Sequence, residues 1–130
     1  MQLSSYKEIT DNIEIEVIPQ FVPDQEDFPN QYLFSYLVTI RNQSKKKCQL
    51  LRRHWIITNG EGEKEIVEGD GVIGQQPVLR PGQSHQYSSF CPLPTPTGNM
   101  RGWYEFVDEN QKFFKVKIPL FFLRADQFIH

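Results

Sequence analysis

Short segments in which polar and apolar residues alternate run along this chain, and residues that break regular structure separate them. Nine Pro and eight Gly divide the 130 residues into many short elements. No segment shows a helical period of useful length, whereas ten Phe, five Tyr and two Trp suit strands better than helices. The chain is therefore predicted to consist of β-strands.

The pattern predicts seven or eight strands. The segment that is richest in apolar residues, 49–60, ends on Asn-Gly, which favours positive φ at both positions of a tight turn. Alternation places the charged Arg53 on the same face as Trp55, which conflicts with a purely apolar face. A bulge could resolve this conflict because one extra residue reverses the alternation. The other predicted strands are 13–18, 32–41, 64–68, the brief 78–79, 85–90, 100–107 and 112–122. Pro19 ends the first of these, and Pro119 bends or ends the last.

Strands of this length, with turn signals between them, predict an all-β sandwich of two antiparallel sheets. A chain of 130 residues is long enough for one domain with its own core, which we place at about 13–123 within a single domain of 1–130. Cys48 and Cys91 are predicted to be free, buried thiols, because the N-terminus has no features of an export signal. We therefore expect a cytoplasmic protein, and no apolar run reaches the ~20 residues of a membrane span.

Charge and residue spacing exclude several function classes. The net charge is −2 and the single basic run is 45–47, so a nucleic-acid partner is not expected. His54, His85 and His130 are scattered and the cysteines form no CxxC pair, so no metal site and no cofactor are predicted. The acidic segment 24–27 is interpreted as a solvated loop, although it could hold a hydrated divalent cation weakly. Ser88 and Ser89 lie near His85 in the sequence but lack a nucleophile elbow and an Asp placed to orient the imidazole, so no catalytic residue is predicted.

One glycine-rich loop is the remaining candidate for a site. Gly69, Gly71 and Gly74 match G-x-G-x-x-G, but two prolines follow closely and make the helix of a dinucleotide-binding fold very unfavourable. Backbone N–H groups of such a loop can still bind an anion. The simpler interpretation, which we favour, is that the glycines permit a tight crossover. The candidate counter-charges are Arg52, Arg53, His54 and Arg80.

Several motifs resemble the ApaG family. They are residues 51–60 (LRRHWIITNG), 69–77 (GDGVIGQQP) and 92–104 (PLPTPTGNMRGWY), with Pro81-Gly82, Tyr87-Ser88-Ser89 and Ile118-Pro119 in the same order. Arg52 departs from the family, whose members often have Ser there, and Trp103-Tyr104 stands where a single aromatic residue is usual.

This resemblance implies a fibronectin type III-like, or immunoglobulin-like, β-sandwich in a small cytoplasmic bacterial protein. It also implies a loose association with cobalt and magnesium efflux or resistance, and no settled biochemical activity. Related domains in larger eukaryotic proteins look like protein-interaction modules.

Three hypotheses follow. The first is a non-enzymatic module that presents a sheet face or edge, with the loops 69–77 and 92–99, to a protein partner. The second is a sensor that holds phosphate or pyrophosphate at the glycine loop. The third is direct binding of Mg²⁺ or Co²⁺.

Overall fold

The computed structural model describes residues 3–23 and 29–125, and all of its regular structure is β-strand. There are nine strands in these residues. They are β1 (Tyr6–Thr10), β2 (Ile13–Val22), β3 (Tyr32–Asn42), β4 (Cys48–Asn59), β5 (Lys64–Asp70), β6 (Val78–Leu79), β7 (Ser84–Leu93), β8 (Thr97–Asp108) and β9 (Phe113–Arg124). No helix of the length and hydropathy that a membrane crossing needs occurs in this part of the chain.

The strands form two antiparallel sheets that pack face to face. One sheet has the order β1-β2-β3-β7, and the other has the order β5-β4-β8-β9, with β6 paired to the start of β4. The order β2-β3-β7 opposite β5-β4-β8-β9 is that of strands A-B-E and C′-C-F-G in an immunoglobulin-like domain. The predicted sandwich is therefore confirmed, with nine strands instead of seven or eight.

The core lies between the sheets and is rich in aromatic residues. Trp55 of β4 is 3% exposed, and its ring meets those of Tyr36, Tyr104 and Phe121 at centroid distances of 5.4, 6.2 and 6.0 Å. All three contacts have the edge-on geometry that the ring quadrupole favours, with interplanar angles of 62°, 86° and 89°. These contacts fix the middle of β4 against both sheets.

Two prolines lie inside their strands: Pro19, which was predicted to end its strand, and Pro119, which was predicted to bend or end its strand. β2 continues through Pro19 to Val22, and β9 continues through Pro119 to Arg124. Pro19 lies beyond the last pairing of β2 with β1, so its missing N–H leaves no gap in that ladder. Pro119 falls in an irregularity of the β8–β9 pairing, opposite the Met100/Gly102 shift, where a donor is not needed. The predicted end of the strand at Pro19 was therefore wrong, whereas the irregularity at Pro119 agrees with the prediction that this proline bends or ends its strand.

The turn after β4 also differs from its prediction. Among the residues described, Asn59 and Gly60 do not have positive φ, and Gly62 (φ 85°) takes that conformation instead. The Asn59 side chain accepts hydrogen bonds from the amides of Glu61 and Glu63 at 2.9 and 3.2 Å. Because these bonds stabilise a longer loop, the two-residue turn does not form.

Asn42, at the end of β3, links three segments through one buried side chain. Its Nδ2 donates to the carbonyl oxygens of Lys46 (2.8 Å) and Leu79 (2.9 Å). Its Oδ1 accepts from the amide (2.9 Å) and the hydroxyl (2.6 Å) of Ser44. Leu79 belongs to the opposite sheet, so this amide connects the two sheets by hydrogen bonds.

The two sides of the sandwich are not equivalent. At one side the edge strands β1 and β9 meet: the Lys117 amide donates to the Thr10 hydroxyl (3.2 Å), and the Tyr6 and Phe121 rings lie 6.2 Å apart. At the other side the edges are β7 and β5, and a cavity separates them. We call this cavity the inter-sheet cavity.

Candidate binding site

A bulge in β4 sets the direction of the three cationic side chains that follow it. β4 pairs with β8 from Leu50↔Phe106 directly to Arg52↔Glu105, so Leu51 is an extra residue. The predicted bulge is thereby confirmed, and Leu50 faces the core on one side of it while Trp55 does so on the other. Arg53 nevertheless stays on the same face as Trp55, and Arg52 and His54 point outward.

Arg53 reaches the glycine loop through its guanidinium group. Its Nη1 donates to the carbonyl oxygens of Asp70 (2.9 Å) and Gly71 (3.1 Å). A Cβ at Gly69 would lie 2.8 Å from both terminal nitrogens, so the glycine leaves the space that the group occupies. In the described residues no carboxylate forms an ion pair with Arg53, whereas Arg52 has one.

The glycine loop is a compact turn whose amides are largely used internally. The amide of Gly71 donates to Leu51 O (2.7 Å), and Val72 and Gln75 exchange two backbone hydrogen bonds. Gly71 has φ 62°, and a Cβ there would lie 2.2 Å from Gln75 O, so glycine is required. The favoured prediction was a tight crossover between the sheets, but the loop instead makes a tight turn between β5 and β6, which both pair with β4. It offers carbonyl oxygens to Arg53.

The inter-sheet cavity has a volume of about 410 Å³ and lies beside this loop. Its walls come from both sheets: Tyr36 of β3, Trp55 of β4, Val67 of β5, and Tyr87 and Cys91 of β7. Ile73, Phe90 and Glu65 are exposed and lie at its rim. Such a volume falls in the range of about 300–1,000 Å³ that small-molecule pockets occupy.

Tyrosine hydroxyls and the Arg53 charge give this cavity its polar character. The hydroxyls of Tyr87 and Tyr104 form a short hydrogen bond with each other. Burial raises the pKa of Tyr36, Tyr87 and Tyr104, and in each case the Arg53 charge opposes the increase. One guanidinium therefore acts on all three phenols.

The other sequence candidates lie elsewhere. Arg52 is held by Asp70 on the outer face at 2.7 Å. His54 stacks on Trp103 with ring centroids 3.9 Å apart, and its Nδ1 lies 2.7 Å from a Glu68 carboxylate oxygen. Arg80 sits in the turn between β6 and β7, near the start of β4 rather than its middle. The structure thus brings Gly69, Gly71, Gly74 and Arg53 together. Arg52 lies beside the same loop but on the outer face, through Asp70, and His54 and Arg80 lie elsewhere.

The histidines and acidic residues form no metal-ligand cluster within the residues described. His54 is on the outer face of its sheet, whereas His85 is opposite Ile40 on the inner face of the other sheet, so the two do not meet. The acidic segment 24–27 and His130 lie outside the described residues.

Both cysteines are free and buried, as predicted. Burial, with a contribution from Asp108, raises the pKa of the Cys48 thiol from 9.0 to about 11. Burial, with a contribution from Glu65, raises the pKa of the Cys91 thiol from 9.0 to about 12. The fold therefore holds both thiols in the neutral form well into alkaline solution.

This pKa increase predicts a loss of stability at high pH. Below pH 9 the folded and unfolded chains both keep the thiol protons. Above pH 9 the unfolded chain releases them first, because the thiol pKa values of the folded chain are about 11 and 12. The free energy of unfolding therefore falls as pH rises toward those pKa values. Urea unfolding of the native chain at several pH values should show this decline. The Cys48→Ala/Cys91→Ala variant is the control, since it should lose part of the slope; an identical slope would contradict the prediction.

Comparison with known proteins supplies the family. A family model for the ApaG domain matches residues 23–108. Protein ApaG of Bordetella pertussis is 46% identical over 120 residues, which are 92% of each chain. Protein ApaG of Dechloromonas aromatica is 44% identical over 119 residues, which are 91% of this chain and 94% of the relative. The crystal structure of an ApaA protein from Bordetella pertussis superimposes with a TM-score of 0.83 at 44% identity, covering 95% of this chain and 97% of that one.

Proposed function

Because this chain belongs to the ApaG family, whose relatives have names that carry no enzymatic activity, we propose that it is a binding module that adds an extended segment of a partner protein to strand β7. One observation supports this proposal above the others: β7 is a long edge strand without charged residues. Strand addition uses the unpaired backbone N–H and C=O groups of such an edge.

The other edges carry the features that keep sheets from pairing with a further strand. β5 contains Lys64, Glu65, Glu68 and Asp70, β1 contains Lys7 and Glu8, and β9 contains two lysines, an arginine and Pro119. β6 is two residues long. In contrast, β7 runs for ten residues, Ser84–Leu93, with no Asp, Glu, Lys or Arg, and its one proline, Pro92, lies next to its last residue. Its ladder with β3 covers one side of the strand and leaves the other side at the edge.

Phe90 gives this edge an apolar anchor point. It is 62% exposed on the outer face of the sheet and lies opposite Ser35, a small residue that leaves its ring uncovered. Exposed aromatic side chains contribute disproportionately to protein recognition. The partner segment is therefore expected to be extended, with an apolar side chain placed against Phe90.

Exchanging Phe90 for Lys should abolish partner recovery. A buried lysine at the interface would be left without a counter-charge, and lysine at an edge opposes strand pairing. The measurement is affinity capture by the tagged full chain from the cells that produce it, followed by hydrogen exchange on the purified complex, which should show protection of the β7 amides.

Ile66→Lys is the matched control, since Ile66 is 53% exposed on the charged edge strand β5 and should tolerate the change. Two results would count against the proposal: equal recovery of one partner by both variants, or protection that falls outside β7. Sedimentation of the chain alone tests self-association through β7, which would replace the heterologous partner by a second copy.

A further inference from the structure

We propose that the inter-sheet cavity is a binding site for a small carboxylic acid with an apolar body, whose carboxylate pairs with Arg53. Phe90 of β7 also lies at the rim of this cavity, but the inference does not rest on the partner proposal, because the carboxylate site depends on Arg53 and on the inner face of the sandwich.

Arg53 provides the charge for this site. The guanidinium group always carries a positive charge and has five N–H donors, and only Nη1 is engaged, by Asp70 O and Gly71 O. Those two bonds fix the plane of the group without neutralising it. The other partly buried arginine among the described residues, Arg41, has carboxylate partners: it lies 2.6 Å from Glu14 and 2.9 Å from Glu16. A ligand carboxylate would fill the role that no protein group fills at Arg53.

The surroundings of Arg53 favour one negative charge over several. Glu65 lines the same cavity and would repel a polyanion. Arg52 is committed to Asp70 on the outer face, and Arg80 lies in a separate turn, so neither adds to the positive charge in the cavity. The glycine loop directs carbonyl oxygens toward the guanidinium, while its amides at Gly71, Val72 and Gln75 bond within the protein. These features select a monoanion and disfavour pyrophosphate.

The rest of the cavity selects an apolar body. Trp55, Val67, Val72 and Met100 provide apolar surface, and the Tyr87 hydroxyl is already hydrogen-bonded to that of Tyr104. The volume of about 410 Å³ equals that of about a dozen water molecules in the liquid. A single aromatic ring or a short aliphatic chain fits such a space.

The experiment is a titration of the ¹⁵N-labelled full chain followed by NMR, with 3-phenylpropanoate as the probe. Its uncharged amide, 3-phenylpropanamide, has nearly the same shape, and inorganic pyrophosphate tests the polyanion. At about 10 mM probe a site with a Kd near 1 mM is almost saturated. We expect saturable shifts of the Trp55 indole and of the Val67 and Cys91 amides with the acid, about tenfold weaker binding of the amide, and no saturation of these signals by pyrophosphate.

Neighbouring arginines provide the matched variants. Arg53→Gln should weaken binding of the acid about tenfold or more, whereas Arg52→Gln, one residue away on the opposite face, should leave it within about twofold. Gly69→Ala is a second test that keeps the charge: its Cβ would enter the space of the Arg53 guanidinium, a flexible side-chain end that can move, so the fold is retained and affinity falls. The Trp55 and core signals of each variant show whether it is folded.

Several outcomes would overturn the proposal. They are an absence of saturable shifts, equal binding of the acid and the amide, shifts centred on the outer face around Trp103, equal losses in the two arginine variants, and preferential binding of pyrophosphate. The last outcome would instead support the phosphate hypothesis for the glycine loop.

Discussion

Gly102→Ala is expected to lower the free energy of unfolding by about 3–5 kcal/mol, through overpacking and a strained φ together. Gly102 lies in β8 opposite Trp55, where β8 passes very close to β4. A Cβ there would lie 1.9 Å from His54 O and 3.1 Å from the Trp55 Cα, and its φ is 154°. Because both contacts are with backbone, the two central strands of the sheet would have to separate.

Urea unfolding followed by tryptophan fluorescence measures this effect. Gly62→Ala is the control: Gly62 also has positive φ (85°), but no atom lies within 4 Å of the added Cβ. Conformational strain alone should cost about 1 kcal/mol there. Similar losses in the two variants would show that close strand approach is not what requires Gly102.

Asn42→Ala is expected to destabilise the protein by about 2–4 kcal/mol, because a buried carbonyl group left without a donor costs about 1–3 kcal/mol beyond the lost bonds. Asn42 is 1% exposed, and its Nδ2 is the donor to Leu79 O. Asn42→Asp should be at least as harmful, since it keeps the shape but places a carboxylate against the carbonyl groups of Lys46 and Leu79.

Thermal and urea unfolding of both variants should be compared with Ser44→Ala. That control removes one partner of Asn42 at a position closer to solvent, and we expect a loss below about 1 kcal/mol. If Asn42→Asp were as stable as the native chain, the two donated hydrogen bonds would not be important for joining the sheets.

Alternation was sufficient to predict most of the sandwich from the sequence. It located the central strands and indicated that a bulge could lie near Arg53, because both depend on local parity and on a dense apolar pattern. The free, buried thiols were expected for another reason, the lack of export-signal features at the N-terminus. β1 was missed since five residues, YKEIT, contain too few apolar positions to show alternation. The strand boundary at Pro19 failed because proline is harmful only where a neighbouring strand needs its N–H, and the sequence does not specify the neighbour.

The candidate site was predicted only in part. Arg52, Arg53, His54 and Arg80 were considered as one set of counter-charges, although parity alone places adjacent strand residues on opposite faces. The cavity residues Tyr87 and Ser89 carried a weaker signal, because the intervening Gln86 and Ser88 are also polar and the inner face cannot be identified from that segment. The gap between β5 and β7 depends on how two distant edge strands are placed, which no local pattern encodes.

The extra residue at Leu51 explains why β4 departs from a regular strand. If Leu51 were absent, Leu50 would be followed by Arg52, and every side chain beyond would keep its present face. The extra residue is therefore not needed for packing of the core. What Leu51 supplies is its carbonyl oxygen, which accepts hydrogen bonds from the Gly71 amide and the Gln76 side chain. For protein engineering, this means that a shorter β4 could preserve a well-packed domain and still lose the platform that orients the glycine loop beside Arg53.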